Sequence, residues 1–161
     1  MFAKPTLPPD RVNFDDGTTQ LSLSRARTSD APALVEAIVD SLPELRAFMP
    51  WAHMPENNTV TAQEQRLTQL ETSWDDKKDF VWHLFQSQGQ GTPRFVGCVA
   101  MHSRCLNPLG LEIGYWIRSD SAGRGLCTLA AKIAALIGVQ HMELVIYLYQ
   151  DSKHVKRQSP K

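Results

Sequence analysis

The amino-acid sequence predicts a single α/β domain, a mixed sheet flanked by helices. Three observations carry this prediction. Segments rich in alternating, β-branched or aromatic residues are interleaved with segments of helical periodicity, in the order β-α-α-β-β-β-α-β. The chain of 161 residues is long enough for one real core, and no repeat or linker divides it. Its 42% apolar and 21% charged content suits a soluble globular protein.

Residues 1–19 read as irregular, with turn signals at Pro8-Pro9-Asp10 and Asp16-Gly17. The domain proper is expected over residues 20–149, followed by a polar tail over 150–161. Leu21-Ser22-Leu23-Ser24-Arg25 alternates, as a half-buried strand does. Ser29-Asp30 is a helix start signal, and Pro32 is tolerated in the first turn. Leu34, Val35, Ile38 and Val39 follow at helical spacing. Pro43 interrupts them, so residues 41–48 form either a kink or a second short helix.

Residues 49–55, Met-Pro-Trp-Ala-His-Met-Pro, make a loop rich in large apolar groups around Trp51. Such a loop serves as a core plug, as one wall of a substrate groove, or as both. Residues 59–74 read as an amphipathic helix with Ala62, Leu67, Leu70 and Trp74 on or near one face. Residues 80–85 and 95–101 are strand-like and form a hairpin across a Gly/Gln-rich turn. Residues 109–117 form the next strand, a helix runs from Leu126 to about His141, and residues 143–149 form a last strand.

The densest information lies where Glu112-Ile113-Gly114-Tyr115-Trp116-Ile117 ends and Gly123-Arg124-Gly125 opens the helix at Leu126. Glycines let backbone N–H groups approach a ligand closely, and a helix N-terminus carries about half a positive charge. Together they suit a phosphate or pyrophosphate, although a purely structural turn has the same composition. The turn is not a Walker loop, because no Gly-Lys-Ser/Thr follows. It is not a dinucleotide fingerprint either, since Thr128 stands where a third glycine or alanine would fall.

This stretch resembles motif A of the GNAT superfamily of acyl-CoA-dependent N-acyltransferases. It is most similar to the branch of ribosomal-protein N-terminal alanine and serine acetyltransferases, in which Glu-Ile-Gly-Tyr-Trp before a Gly-x-Gly turn recurs. The segments "LSLSRARTSDAPAL", "LRAFMPWA" and "FVGCVAMHS" resemble that branch's first strand and helix, its helix-to-loop segment and its third strand. The resemblance covers residues 21–145 and implies a single GNAT-like domain with a mixed, mostly antiparallel sheet. The family's Gln/Arg-x-x-Gly-x-Gly/Ala pattern falls on Ala122, Gly125 and Cys127, so Ala122 and Cys127 depart from it. The usual last helix and strand have no counterpart in residues 150–161, so the resemblance implies a truncated or divergent end.

What the resemblance implies for chemistry is acetyl transfer from acetyl-CoA to a primary amine: a small amine, or the N-terminal α-amino group of a peptide or protein. Glu112 would be the base. The Ile117 N–H would donate to the developing oxyanion. Ala122, Gly123, Arg124, Gly125, Leu126, Cys127 and Thr128 would hold the cofactor. Tyr115 and Trp116 alternate along the strand, so one packs in the core and the other flanks the acyl site. Tyr115 is the second catalytic candidate, and Trp51 and Trp116 are the substrate-binding candidates. Tyr147 and Tyr149 are weaker candidates for the acid on the leaving thiolate. The rival expectation is a catalytically impaired domain that binds CoA or serves as an interaction or dimerisation module.

Other features narrow the field. Net charge is zero, which gives no sign of a nucleic-acid or membrane-surface partner. No segment reads as a signal peptide or as the ~18 apolar residues of a membrane helix. Cys98, Cys105 and Cys127 show no CxxC pairing and read as reduced cytoplasmic thiols. The five histidines lack metal-ligand spacing, and His83 and His102 read as packed or surface residues. The last strand, residues 143–149, is apolar on both faces, so either a homodimer that buries it or a poorly soluble, partly disordered C-terminus is expected.

Overall fold

A computed structural model describes residues 6–102, 110–142 and 145–147. Its elements are β1 (Arg11–Asp15), β2 (Gln20–Arg25), α1 (Ala31–Asp40), α2 (Leu42–Phe48), α3 (Val60–Asp75), β3 (Asp79–Gln86), β4 (Arg94–His102), β5 (Gly110–Ile117), α4 (Leu126–Met142) and β6 (Val145–Tyr147). The six strands form one sheet in chain order, β1 to β6. Neighbours are antiparallel from β1 through β5, and β6 joins β5 in parallel after the α4 crossover.

The chain before residue 20 is not irregular throughout. Arg11–Asp15 is a strand that pairs Val12 with Leu23 and Phe14 with Leu21. Asp15 and Asp16 close the turn by accepting backbone N–H groups, Asp15 from Gly17 and Asp16 from Thr18 and Thr19. Gly17 supplies the positive φ of 90° that this turn requires. Arg11-Val12-Asn13-Phe14-Asp15 does alternate polar with apolar, and that was the available signal.

The sheet is buried on both faces. On one, Leu21, Leu23, Phe80, Trp82, Met101 and Ile113 pack under α4 through Leu126, Ala130, Ala134 and Ile137. The alanines on α4 keep that helix close to the strands. On the other face, Val81, Phe95 and Ala100 pack against Leu34, Ala37 and Ile38 of α1, Leu45 of α2 and Leu67 of α3. Pro43 therefore opens a second short helix rather than a simple kink, with Ser41 between the two helices. α3 begins at an N-cap, where Thr59 Oγ1 accepts from the Ala62 N–H at 3.3 Å. Residues 50–53 and 55–58 form two tight 3₁₀ turns that bring Trp51 back against the sheet.

Of the last predicted strand, residues 143–149, the described part is Val145–Tyr147. Residues 143–144 and 148–161, and with them Tyr149, lie outside the described residues, as does Cys105.

Candidate active site

The site is built where β5 parts from β6. β6 pairs with Gly110, Leu111 and Glu112 only. The Arg118 N–H donates to the Val96 carbonyl at 2.9 Å, which fixes the phase of the antiparallel β4–β5 ladder. In that phase the even-numbered residues of β5 bond to β4. The backbone groups of Ile113, Tyr115 and Ile117 point the other way. Past Glu112 they meet no strand among the described residues. The Ile117 N–H is thus placed as a donor on an open edge.

β5 runs directly into the glycine turn. Gly123 and Gly125 have φ of 79° and 75°, a conformation that side chains with a Cβ rarely adopt. A Cβ at either glycine would meet nothing within 4 Å, so the space before the turn is open. The Leu129 N–H makes the first helical bond, to the Gly125 carbonyl. The N–H groups of residues 123–128 have no acceptor among the described residues, as expected at a helix start free to take an anion. Leu126 is buried, Cys127 half-buried, and Ala122 to Gly125 and Thr128 are exposed.

Arg124 points away from that opening. Its guanidinium donates to Asp16 at 2.8 Å and to Gln86 and Thr19 at longer range, which straps the turn to the β1–β2 hairpin. The Thr18 hydroxyl above all, with backbone N–H groups and Arg124, holds the Asp16 pKa down at about 2.

Two hollows adjoin along β5. One, of about 550 Å³, runs between α2 and Glu112–Ile117 to Ala122 and Cys127. The other, of about 510 Å³, lies over the α1–α3 face and is walled by Trp51, Arg66, His83, His102 and Glu112, among others. Both volumes suit a small-molecule site. Glu112, Gly114, Tyr115 and Trp116 belong to both hollows, as do Phe48 and Met49 of α2 and its end. Glu112 therefore stands on the seam between them.

Trp116 packs on the face covered by α1, α2 and α3, beside Phe95 and Trp51, with ring centroids 5.9 and 6.1 Å away. Tyr115 packs on the α4 side and still borders both hollows. Trp51 packs against the core and lines the second hollow, so the loop both plugs the core and walls that hollow.

Several groups reach the site that sequence spacing did not single out as functional. His102 lies opposite Glu112 in the β4–β5 register, and its Nδ1 is 3.0 Å from Asp79 Oδ1. His83 is buried; its Nδ1–H donates to Asp30 Oδ2 at 2.7 Å, and desolvation pushes its pKa down, so it is neutral at pH 7. Burial pushes the thiols of Cys98 and Cys127 up to about 11, which leaves both protonated and poorly nucleophilic.

The two hollows are also tied mechanically. Arg118 is buried at 6% exposure and pairs with Glu36 and Asp40 of α1 and with Asp120. The Ser119 N–H donates to Ser41 Oγ at 3.0 Å, and the Ser119 hydroxyl to Glu44 at 2.8 Å. These contacts pin the α1–α2 junction to the start of the glycine turn. The sequence signal for them was slight, an arginine at a strand end with carboxylates far upstream.

The acetyltransferase (GNAT) domain family matches residues 20–155. No curated protein matches the chain. Among solved structures, a ribosomal-protein-alanine acetyltransferase from Vibrio fischeri superposes with a TM-score of 0.72 at 19% identity, over 85% of this chain and 73% of that one. RimJ from Mycobacterium smegmatis, in complex with CoA-disulfide, superposes with a TM-score of 0.72 at 19% identity, over 89% and 68%. An acetyltransferase from Salmonella typhimurium that modifies the N-terminal serine of a 50S ribosomal subunit protein gives 0.62 at 15% identity, over 85% and 74%.

Proposed function

The chain belongs to the GNAT acetyltransferase family, and from that premise we propose that it transfers an acetyl group from acetyl-CoA to a primary amine, the N-terminal α-amino group of a peptide or protein. The observation that carries the reading is Glu112 on the seam of the two hollows, beside the open edge of β5. In this reading the larger hollow takes the thioester arm, and the N–H groups of residues 123–128 take the pyrophosphate. The amine enters through the second hollow, past Trp51 and Trp116. Glu112 accepts its proton, directly or through water. The amine nitrogen bonds to the thioester carbon, and the Ile117 N–H donates to the oxygen as charge develops. The C–S bond then breaks, and the CoA thiolate leaves and takes up a proton. Holding the two substrates in separate hollows that meet at one carboxylate supplies the proximity term.

Two further observations support the reading. The neighbouring folds include a ribosomal-protein-alanine acetyltransferase and an acetyltransferase that modifies an N-terminal serine, and one neighbour was solved in complex with CoA-disulfide. Unpaired, half-buried Cys98 and Cys127 fit a cytoplasmic setting. The proposal includes a homodimer formed through β6, which light scattering tests.

The reading is tested by unfolding the protein with and without acetyl-CoA and by following free CoA over a panel of N-terminal peptides and small amines. A ligand at ~100 times its dissociation constant adds about 2.7 kcal/mol to the folded state. A thermal shift together with peptide-dependent CoA release is expected. A shift without release leaves a CoA-binding module, and no shift at millimolar acetyl-CoA removes the proposal.

A further inference from the structure

The acceptor hollow carries a charge and a hydrogen-bond acceptor that the acetyl-transfer chemistry does not use. Both come from α3, one turn apart. Gln63 is buried at 2% exposure; its Nε2 donates to the Asn57 carbonyl at 2.8 Å, and its Oε1 has no partner. An unpaired buried amide oxygen is costly unless something fills the role. Arg66 also lines the hollow and makes no hydrogen bond or ion pair to any described residue. Arg11, Arg25, Arg27, Arg46, Arg94, Arg118 and Arg124 all do. The walls thus hold an unsatisfied acceptor and an unsatisfied cation on one side, and Glu112 on the other.

Their placement in one hollow selects the ligand. Arg66 on α3 and Glu112 on β5 line the same hollow from different elements. The charge of Arg66 also acts on His83 and Cys98, which line it too. An extended peptide advances ~3.3–3.6 Å per residue, so it can bring its amine to Glu112 and an acidic side chain to Arg66.

We propose that the acceptor is a peptide N-terminus with an acidic side chain at its second or third residue, the carboxylate held by Arg66 and a backbone N–H of the peptide held by Gln63. Arginine suits this role because its planar fork binds a carboxylate with two parallel hydrogen bonds. The inference rests on the acetyl-transfer reading, and the experiment separates the two.

Peptides with N-terminal serine and Asp, Asn or Lys at positions two and three are compared by initial rates of CoA release and, with CoA present, by calorimetric binding. Wild type is expected to favour the Asp peptide over the Lys peptide by at least about tenfold. In Arg66→Gln that ratio falls to near one, and in Arg66→Glu it reverses. Gln63→Leu weakens all the peptides alike while the Asp preference stays. Equal use of the Asp and Lys peptides by wild type overturns the inference and leaves acetyl transfer standing, as does an Asp preference that survives in Arg66→Gln. If no peptide is acetylated, the acetyl-transfer reading fails, and the binding arm still decides whether this hollow selects acidic peptides.

Discussion

Glu112 is half-buried between two hollows and faces His102 across the β4–β5 pair. Changing its carboxylate to an amide removes proton-accepting capacity without changing shape. Glu112→Gln is expected to lower turnover by about 10²-fold while the acetyl-CoA dissociation constant stays within about twofold, as for a group that acts in the transition state. Equal turnover from pH 6 to 9 would make Glu112 structural. Asp16 gives a different residue-scale expectation. Its folded-state pKa is depressed to about 2 from an ordinary value of 3.8. The unfolded chain therefore takes up the proton first as pH falls. The stabilisation is complete above the unfolded value and disappears between about pH 4 and pH 2. Acid unfolding of wild type and Asp16→Asn should differ at pH 5 and converge near pH 2.

At the scale of elements, two glycines separate what the turn needs from what the sheet needs. Gly125 combines positive φ with open space in front of it. A branched side chain there both strains the backbone and fills the volume assigned to pyrophosphate. Gly125→Val should weaken acetyl-CoA binding at least tenfold, about 1.4 kcal/mol, as measured by calorimetry on folded protein. Gly97, inside β4, is limited by crowding instead: a Cβ would stand 2.5 Å from the Trp116 carbonyl oxygen and 2.7 Å from Ile117 Cδ1. Gly97→Ala should cost about 1–3 kcal/mol in urea unfolding, because it pushes β5 away from β4. Elements like these were unevenly legible in the sequence. Period and capping residues revealed the helix after Thr59, the break at Pro43 and the strands through Trp82 and Val99. β1 was missed because Pro8, Pro9 and Gly17 crowd a five-residue strand, and punctuation outweighed its alternation. The glycine turn was readable because a backbone conformation leaves a local mark. The second hollow was not, since Gln63, Arg66, His83 and Glu112 meet only through strand register and helix packing, which spacing along the chain does not encode.

On the scale of the molecule, the sheet is a frame with the hollow proposed for the acceptor on one face and the hollow proposed for the thioester at its parted edge, while Arg118 ties α1 to the start of the glycine turn. The strand order, which follows the chain from β1 to β6, bears on how this frame is assembled. The β1–β2 hairpin closes over a few residues, and β3, β4 and β5 form a meander with short returns. Leu23, however, must find Leu84 across the whole α1–α3 excursion. Each doubling of a loop adds only ~0.6 kcal/mol of closure entropy, yet non-local closures set the pace of folding more than local ones do. Folding then consists of two fast local units and one slow joint between β2 and β3. The hollow proposed for the acceptor is walled by α1 and α3, the excursion that this joint closes, while the glycine turn continues the meander. The glycine turn proposed to hold acetyl-CoA can take shape from local closures, and the hollow proposed to take the amine waits for the distant one.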